Sequence, residues 1–152
     1  MSYSLFQSLQ DIQKKPLLTH LFLNTPFILL KSHFQEALDL IIDCFIQNPL
    51  SIDSLNASID LLNQILENFG NSISTPQSEE LIKNLVNLLE KIPKKPMETV
   101  KKVINSLGRC HNLSFGANAK YEAIIALKRF LDYPKRVVRQ ETASALNLWH
   151  SI

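Results

Sequence analysis

The feature that most constrains this chain is a recurrence of breakers and apolar stripes. Prolines and asparagines fall between runs whose hydrophobic residues repeat at helical spacing, and the runs come in pairs. First members begin near Phe34, Gln77 and Asn118, second members near Ile52, Met97 and Lys135, so each pair returns after about 40 residues, the period of HEAT and armadillo repeats. No strand pair emerges, and only three glycines occur. The expectation is an all-α chain, a HEAT/armadillo-type α-solenoid of three to four helix pairs. Residues 1–30 would form a degenerate N-terminal pair or cap. Residues 31–152 would form the repeat domain, with pairs over 32–70, 75–112 and 117–150.

Each run has its own signals. Ser32 with Gln35 is a capping-box pattern, followed by Phe34, Ala37, Leu38, Ile41, Ile42 and Phe45 on one face and a stop at Asn48-Pro49. Leu55, Ile59, Leu62, Ile65, Leu66 and Phe69 form the second stripe, and Gly70 reads as the left-handed residue that ends it. Thr75-Pro76 reads as cap and first turn of a third run, with Leu81, Ile82, Leu85, Leu88, Leu89 and Ile92 inward. Pro96 opens a fourth, carrying Val100, Val103, Ile104, Leu107 and His111 on one side and Glu98, Lys101, Lys102, Asn105 and Arg109 on the other. Ala123, Ile124, Leu127, Phe130 and Leu131 make a fifth stripe, and a sixth helix starts at Pro134 and runs to about Trp149.

Composition and motifs narrow the function classes. At 152 residues, 45% apolar and 20% charged, with a net charge of +2, the chain suits one globular domain and points to no partner by bulk charge. The segment Met1–Lys15 lacks the basic start and apolar core of a secretory signal. Leu17 to Leu30 is shorter than the roughly 20 residues of a bilayer span. A soluble, intracellular protein with reduced Cys44 and Cys110 is expected.

No Gly-rich phosphate loop, Cys-x-x-Cys pair or His-Glu-x-x-His motif occurs. His20, His33, His111 and His150 are scattered, and Cys110 and His111 diverge by about 100° on a helix. Neither catalysis, nor a cofactor, nor a metal site is expected. Glu79-Glu80 and Glu36, Asp39 and Asp43 read as exposed-face charges.

The cluster that stands out is Lys128, Arg129, Lys135, Arg136 and Arg139, five bases against the single acid Asp132. Asp132, Lys135, Arg136, Arg139 and Gln140 are therefore the candidate partner-binding residues. Asp132 precedes a helix whose free N–H groups an aspartate can accept, and Arg139, one turn in, can reach an acid of a neighbouring repeat. Val138, Glu141 and Trp149 are the structural positions, with Trp149 sealing the last repeat. Three readings of the basic face stand side by side: a solvated face tied by salt bridges, a site for an acidic protein, and a nucleic-acid contact. The small net charge and scarcity of interleaved aromatics make nucleic acid the least favoured.

The string from Leu131 to Trp149, following Lys120-Tyr121 and the run Glu122 to Phe130, resembles a known C-terminus. It is similar to the closing segment of the large HEAT-repeat adaptor of the cytosolic iron-sulfur assembly targeting complex, a family linked to methyl-methanesulfonate sensitivity, nucleotide excision repair and transcription. Leu131, Asp132, Lys135, Arg136, Val138, Arg139, Glu141 and Trp149 match its signature of Leu-Asp, Lys-Arg, Val-Arg, Glu and a closing Trp. Upstream, Ile59 to Glu67 and Leu81 to Leu89 fit the same layout more loosely, so the resemblance covers about residues 50–152 and is specific over the last thirty; Leu146 departs from it, standing where a second basic residue is expected. The resemblance implies a non-catalytic scaffold of cytoplasm and nucleus. Its partners would be a seven-bladed WD-repeat protein, a small acidic cluster-transfer protein and apo-enzymes of DNA metabolism such as helicases, polymerases and primase. Because such adaptors are far longer, the chain would be a terminal segment or reduced relative. A generic HEAT or armadillo module of transport, trafficking or mitotic assembly is the alternative.

Overall fold

The computed structural model describes residues 27–46, 52–92 and 96–152, with side chains from His33 onward. The expected cap over residues 1–30 lies almost wholly outside the described residues. Six α-helices are present and no strand occurs among the described residues: α1 (Phe27–Ile46), α2 (Ile52–Phe69), α3 (Thr75–Lys91), α4 (Met97–Arg109), α5 (Ala117–Lys128) and α6 (Arg136–His150). Short 3-10 turns, Gly70–Ser72 and Cys110–Asn112, follow α2 and α4. The all-helical class is as expected, and the arrangement is compatible with an α-solenoid. Chain contacts divide it between Phe69 and Gly70 into two compact units.

In the first unit α1 packs on α2. Ala37, Leu38, Ile41, Ile42 and Phe45 are buried, as are Leu55, Ile59, Leu62 and Ile65, and the rings of Phe34 and Phe69 stack at 5.1 Å. Three expectations need correction. Helix α1 begins at Phe27, ahead of Ser32, and the break lies at His33 (φ −128°, ψ 20°), where the second segment restarts. Leu66 is only half-buried, since it sits at the edge of its stripe. Gly70 does not adopt a left-handed conformation; α2 tightens into the 3-10 turn instead.

In the second unit first helices lie against first helices and second against second. Helix α3 packs on α5 and α4 on α6, with α3 on α4 and α5 on α6 completing each pair. Polar links repeat the pattern: Thr75 Oγ1 to Ser114 Oγ at 2.7 Å, the Gly116 amide to Glu79 Oε2, Arg129 Nη1 to Glu90 Oε1 at 3.2 Å, and Asn105 Nδ2 to Glu141 Oε1 at 2.8 Å. The partners of all these links stand 36 to 39 residues apart, about one pair-to-pair interval. Leu81, Ile82, Leu85, Leu88, Leu89 and Ile92 of the α3 run are all buried. Its cap is Ser74 rather than Thr75: the Ser74 hydroxyl accepts from the Gln77 amide, while Thr75 is spent on Ser114.

The α4–α6 seam is the tightest. A Cβ placed on Gly108 would lie 3.0 Å from Ala145 Cβ and 3.2 Å from its Cα, so the two helices meet at backbone distance. Beside that contact Trp149 is fully buried, its indole N–H donating to the Leu107 carbonyl at 3.0 Å and its ring lying 5.0 Å from Phe115. The Leu107 carbonyl belongs to the last turn of α4 and also accepts from the Cys110 amide, so Trp149 adds a second donor to that helix end as well as filling the core. Buried hydroxyls flank the stripes, and Ser58 and Thr142 satisfy theirs on the carbonyls of Ser54 and Val138 one turn back.

Gly108→Val is expected to lower stability by roughly 1–3 kcal/mol through overpacking against Ala145. Gly70→Ala, with its nearest neighbour Leu113 Cδ2 at 3.6 Å, is expected to be tolerated or mildly stabilising. Denaturant midpoints at unchanged slope would check both.

Candidate functional site

Residues 129–135 turn the chain from α5 into α6; Asp132 and Lys135 lie in this corner, and Arg136, Arg139 and Gln140 follow in the first turns of α6. Its backbone closes through successive tight bonds, from the amides of Phe130, Leu131 and Tyr133 to the carbonyls of Leu127, Lys128 and Phe130. The rings of Phe130 and Tyr133 stack at 5.8 Å, with Phe130 buried. Arg139, half-buried one turn into α6, reaches back with a single nitrogen, Nη1, to the carbonyls of Tyr133 (2.7 Å) and Pro134 (3.0 Å). The guanidinium thus holds the turn from within its own pair. The reach toward an acid of a neighbouring repeat is replaced by this local clip, because the turn presents two carbonyls without helical donors directly to it.

Asp132 is exposed and does not cap α6. The N-cap is Lys135, and no side chain bonds to the helix start. The turn between Asp132 and the first helical residue carries Pro134, which places the aspartate too early in the chain to serve. Lys135, Arg136 and Gln140 are exposed, Val138 and Trp149 are fully buried, and Glu141 is half-buried on Asn105. Leu131, expected in the core, is 40% exposed, and Val137 is 39% exposed. Leu146 is buried and packs with the apolar arc of α6.

The chain matches no family model, no curated protein and no solved structure. Among the described residues no group of three or more His, Cys, Asp or Glu side chains is placed to hold a metal ion. His111 Nδ1 lies 2.8 Å from the Gly108 carbonyl, and since a carbonyl can only accept, that nitrogen carries the proton. Cys110 is fully buried, and burial pushes its thiol up to about 12, so at neutral pH it is a packed hydrophobe and not a nucleophile. No described helix is long and apolar enough to cross a membrane.

Sequence reasoning missed a surface groove between α3 and α5. Two cavities, of about 480 and 280 Å³, share Glu90, Ala126 and Arg129, and the exposed Arg129–Glu90 pair lies where they meet. Leu89, Phe130 and Tyr133 line the larger, while Val86, Tyr121 and Ile125 line the smaller. The separation of Glu90 and Arg129, 39 residues, was the one signal in the sequence that could have paired them.

Arg139→Ala leaves two carbonyls of the corner without their donor and is expected to lower stability by about 1–3 kcal/mol. Arg136→Ala, which removes an exposed side chain, should change it by less than about 0.5 kcal/mol. Thermal or urea unfolding of the two variants side by side distinguishes these roles.

Proposed function

We propose that the chain is a HEAT-type α-solenoid segment acting as a protein-binding scaffold, and that it corresponds to the C-terminal domain of the adaptor of the cytosolic iron-sulfur targeting complex. The observation that carries the reading is how the closing signature partitions on the fold. Val138 and Trp149 point inward, Glu141 ties α6 to α4, Arg139 holds the corner, and Lys135 and Arg136 remain on the surface. A sequence signature that buries Val138 and Trp149 in a pair-to-pair seam and leaves Lys135 and Arg136 on the surface suits a domain that stacks on itself and presents charge to another protein.

The like-with-like packing of α3 on α5 and α4 on α6 supports the repeat reading, since within the second unit the last helix pair covers a face of the pair before it. In such an adaptor the scaffold makes and breaks no bond. It holds a cluster donor and a recipient apo-enzyme on one rigid surface, which raises the effective concentration of each for the other. The partners would be the WD-repeat protein and the small acidic cluster-transfer protein, with iron-sulfur enzymes of DNA metabolism as clients in cytoplasm and nucleus.

In affinity capture at low salt, the folded chain is expected to retain the WD-repeat and cluster-transfer proteins. Capture of neither, by protein whose helical circular dichroism is intact, contradicts the assignment.

A further inference from the structure

The cations at the α5–α6 corner divide into two groups with different employment. Arg139 is committed to the Tyr133 and Pro134 carbonyls, and Arg129 is paired with Glu90. Lys128, Lys135 and Arg136 are exposed and have no hydrogen-bond or ion-pair partner among the described residues. Within the same turn lies Leu131, and in the first turn of α6 lies Val137, both exposed large aliphatic side chains. Unpaired positive charge beside exposed aliphatic surface is the composition of a partner site rather than of a solvated rim, where charges are interspersed and apolar side chains are scattered singly.

The corner is also preorganised. The consecutive turns, the Phe130–Tyr133 stack and the Arg139 clip hold the backbone from which these five side chains project, so little ordering is required when something binds. The chemistry selects the partner. Three cations within nine residues at the α5–α6 corner, with Asp132 the single acid among them in the sequence, complement carboxylates. A nucleic acid would call for a longer cationic track and free aromatic faces, and here Phe130 is buried while its ring and that of Tyr133 lie on each other.

We propose that Lys128, Lys135 and Arg136, together with Leu131 and Val137, form a docking site for an acidic protein segment that carries an aliphatic anchor. The proposal rests on the reading of the chain as a protein-binding scaffold, and it names the residues and the partner chemistry. The cations attract and orient the carboxylates at the rim, with a contribution that weakens as salt rises, and the aliphatic pair contributes burial that salt does not screen.

The test uses the full chain and three fluorescent probes: a peptide in which glutamates flank a central leucine pair, its counterpart with serines for leucines, and an oligothymidylate. The leucine peptide is expected to bind most tightly, and K128A/K135A/R136A is expected to weaken it at least about tenfold. L131S/V137S is expected to abolish the preference for leucine over serine; should that variant fail to fold, the leucine–serine comparison on the unaltered chain decides the apolar requirement by itself. Undiminished peptide binding by the triple variant, equal binding of the two peptides, or tighter binding of the oligothymidylate would each overturn the proposal. Retention of the iron-sulfur targeting proteins by the triple variant would sink the corner and leave the scaffold reading intact. Their failure to bind the unaltered chain, with the peptide results as expected, would do the reverse.

Discussion

Helices can approach to backbone distance only where side chains make room, and in the second unit that happens where Gly108 of α4 meets Ala145 of α6. A glycine in a helix costs about 1 kcal/mol relative to alanine, so its presence there needs a compensating contact. The compensation is alongside it. With the helices this close, the Trp149 ring enters the core and its N–H reaches the Leu107 carbonyl at the end of α4. Widening the seam would leave the buried indole N–H without its acceptor, a loss of order 1–3 kcal/mol, and would leave the Leu107 carbonyl with the Cys110 amide alone. Close approach, aromatic filling and helix closure are thus one constraint, and the registration of α6, with the corner that precedes it, follows from it.

The polar links across the pairs carry the same geometry outward. Asn105 uses both ends of its amide, donating to Glu141 and accepting from Arg109 Nε, so the exposed rim of the seam is bridged from one edge of α4 to α6. Thr75–Ser114, Glu79–Gly116 and Glu90–Arg129 do the equivalent for the first helices and the loops ahead of them. Exposed pairs of this kind contribute little stability individually. Their contribution is to register: each favours one offset between successive pairs, and all favour nearly the same one.

The amphipathic runs could be read from the sequence because burial in a helical stack follows a 3.6-residue period; every inward position assigned on α3 is buried. Misreadings cluster where the period ends. Leu131 continues the phase of α5, but the helix stops at Lys128 and the tight turns beyond it swing that side chain outward. Arg139 was assigned a partner across repeats because the sequence shows a cation one turn into a helix and cannot show two carbonyls folded back beneath it. A glycine near a helix end, such as Gly108, ordinarily marks termination, and only the position of Ala145 reveals it as a notch. The candidate site was legible as a charge cluster. Which of its charges are already employed was not, because that depends on the conformation of the turn.

The corner and the seam divide the work of the last pair between holding the stack and facing outward. That division requires α4 and α6 to behave as one cooperative block, joined through Trp149. The chain has a single tryptophan, so its indole N–H gives one resolved signal in hydrogen exchange. If the account is right, that proton is protected to the same free energy as the core amides of α4 at Val103, Ile104 and Leu107, and all lose protection together as denaturant is raised. An indole that exchanges like an exposed one, or an α6 that opens while α4 stays protected, would contradict it.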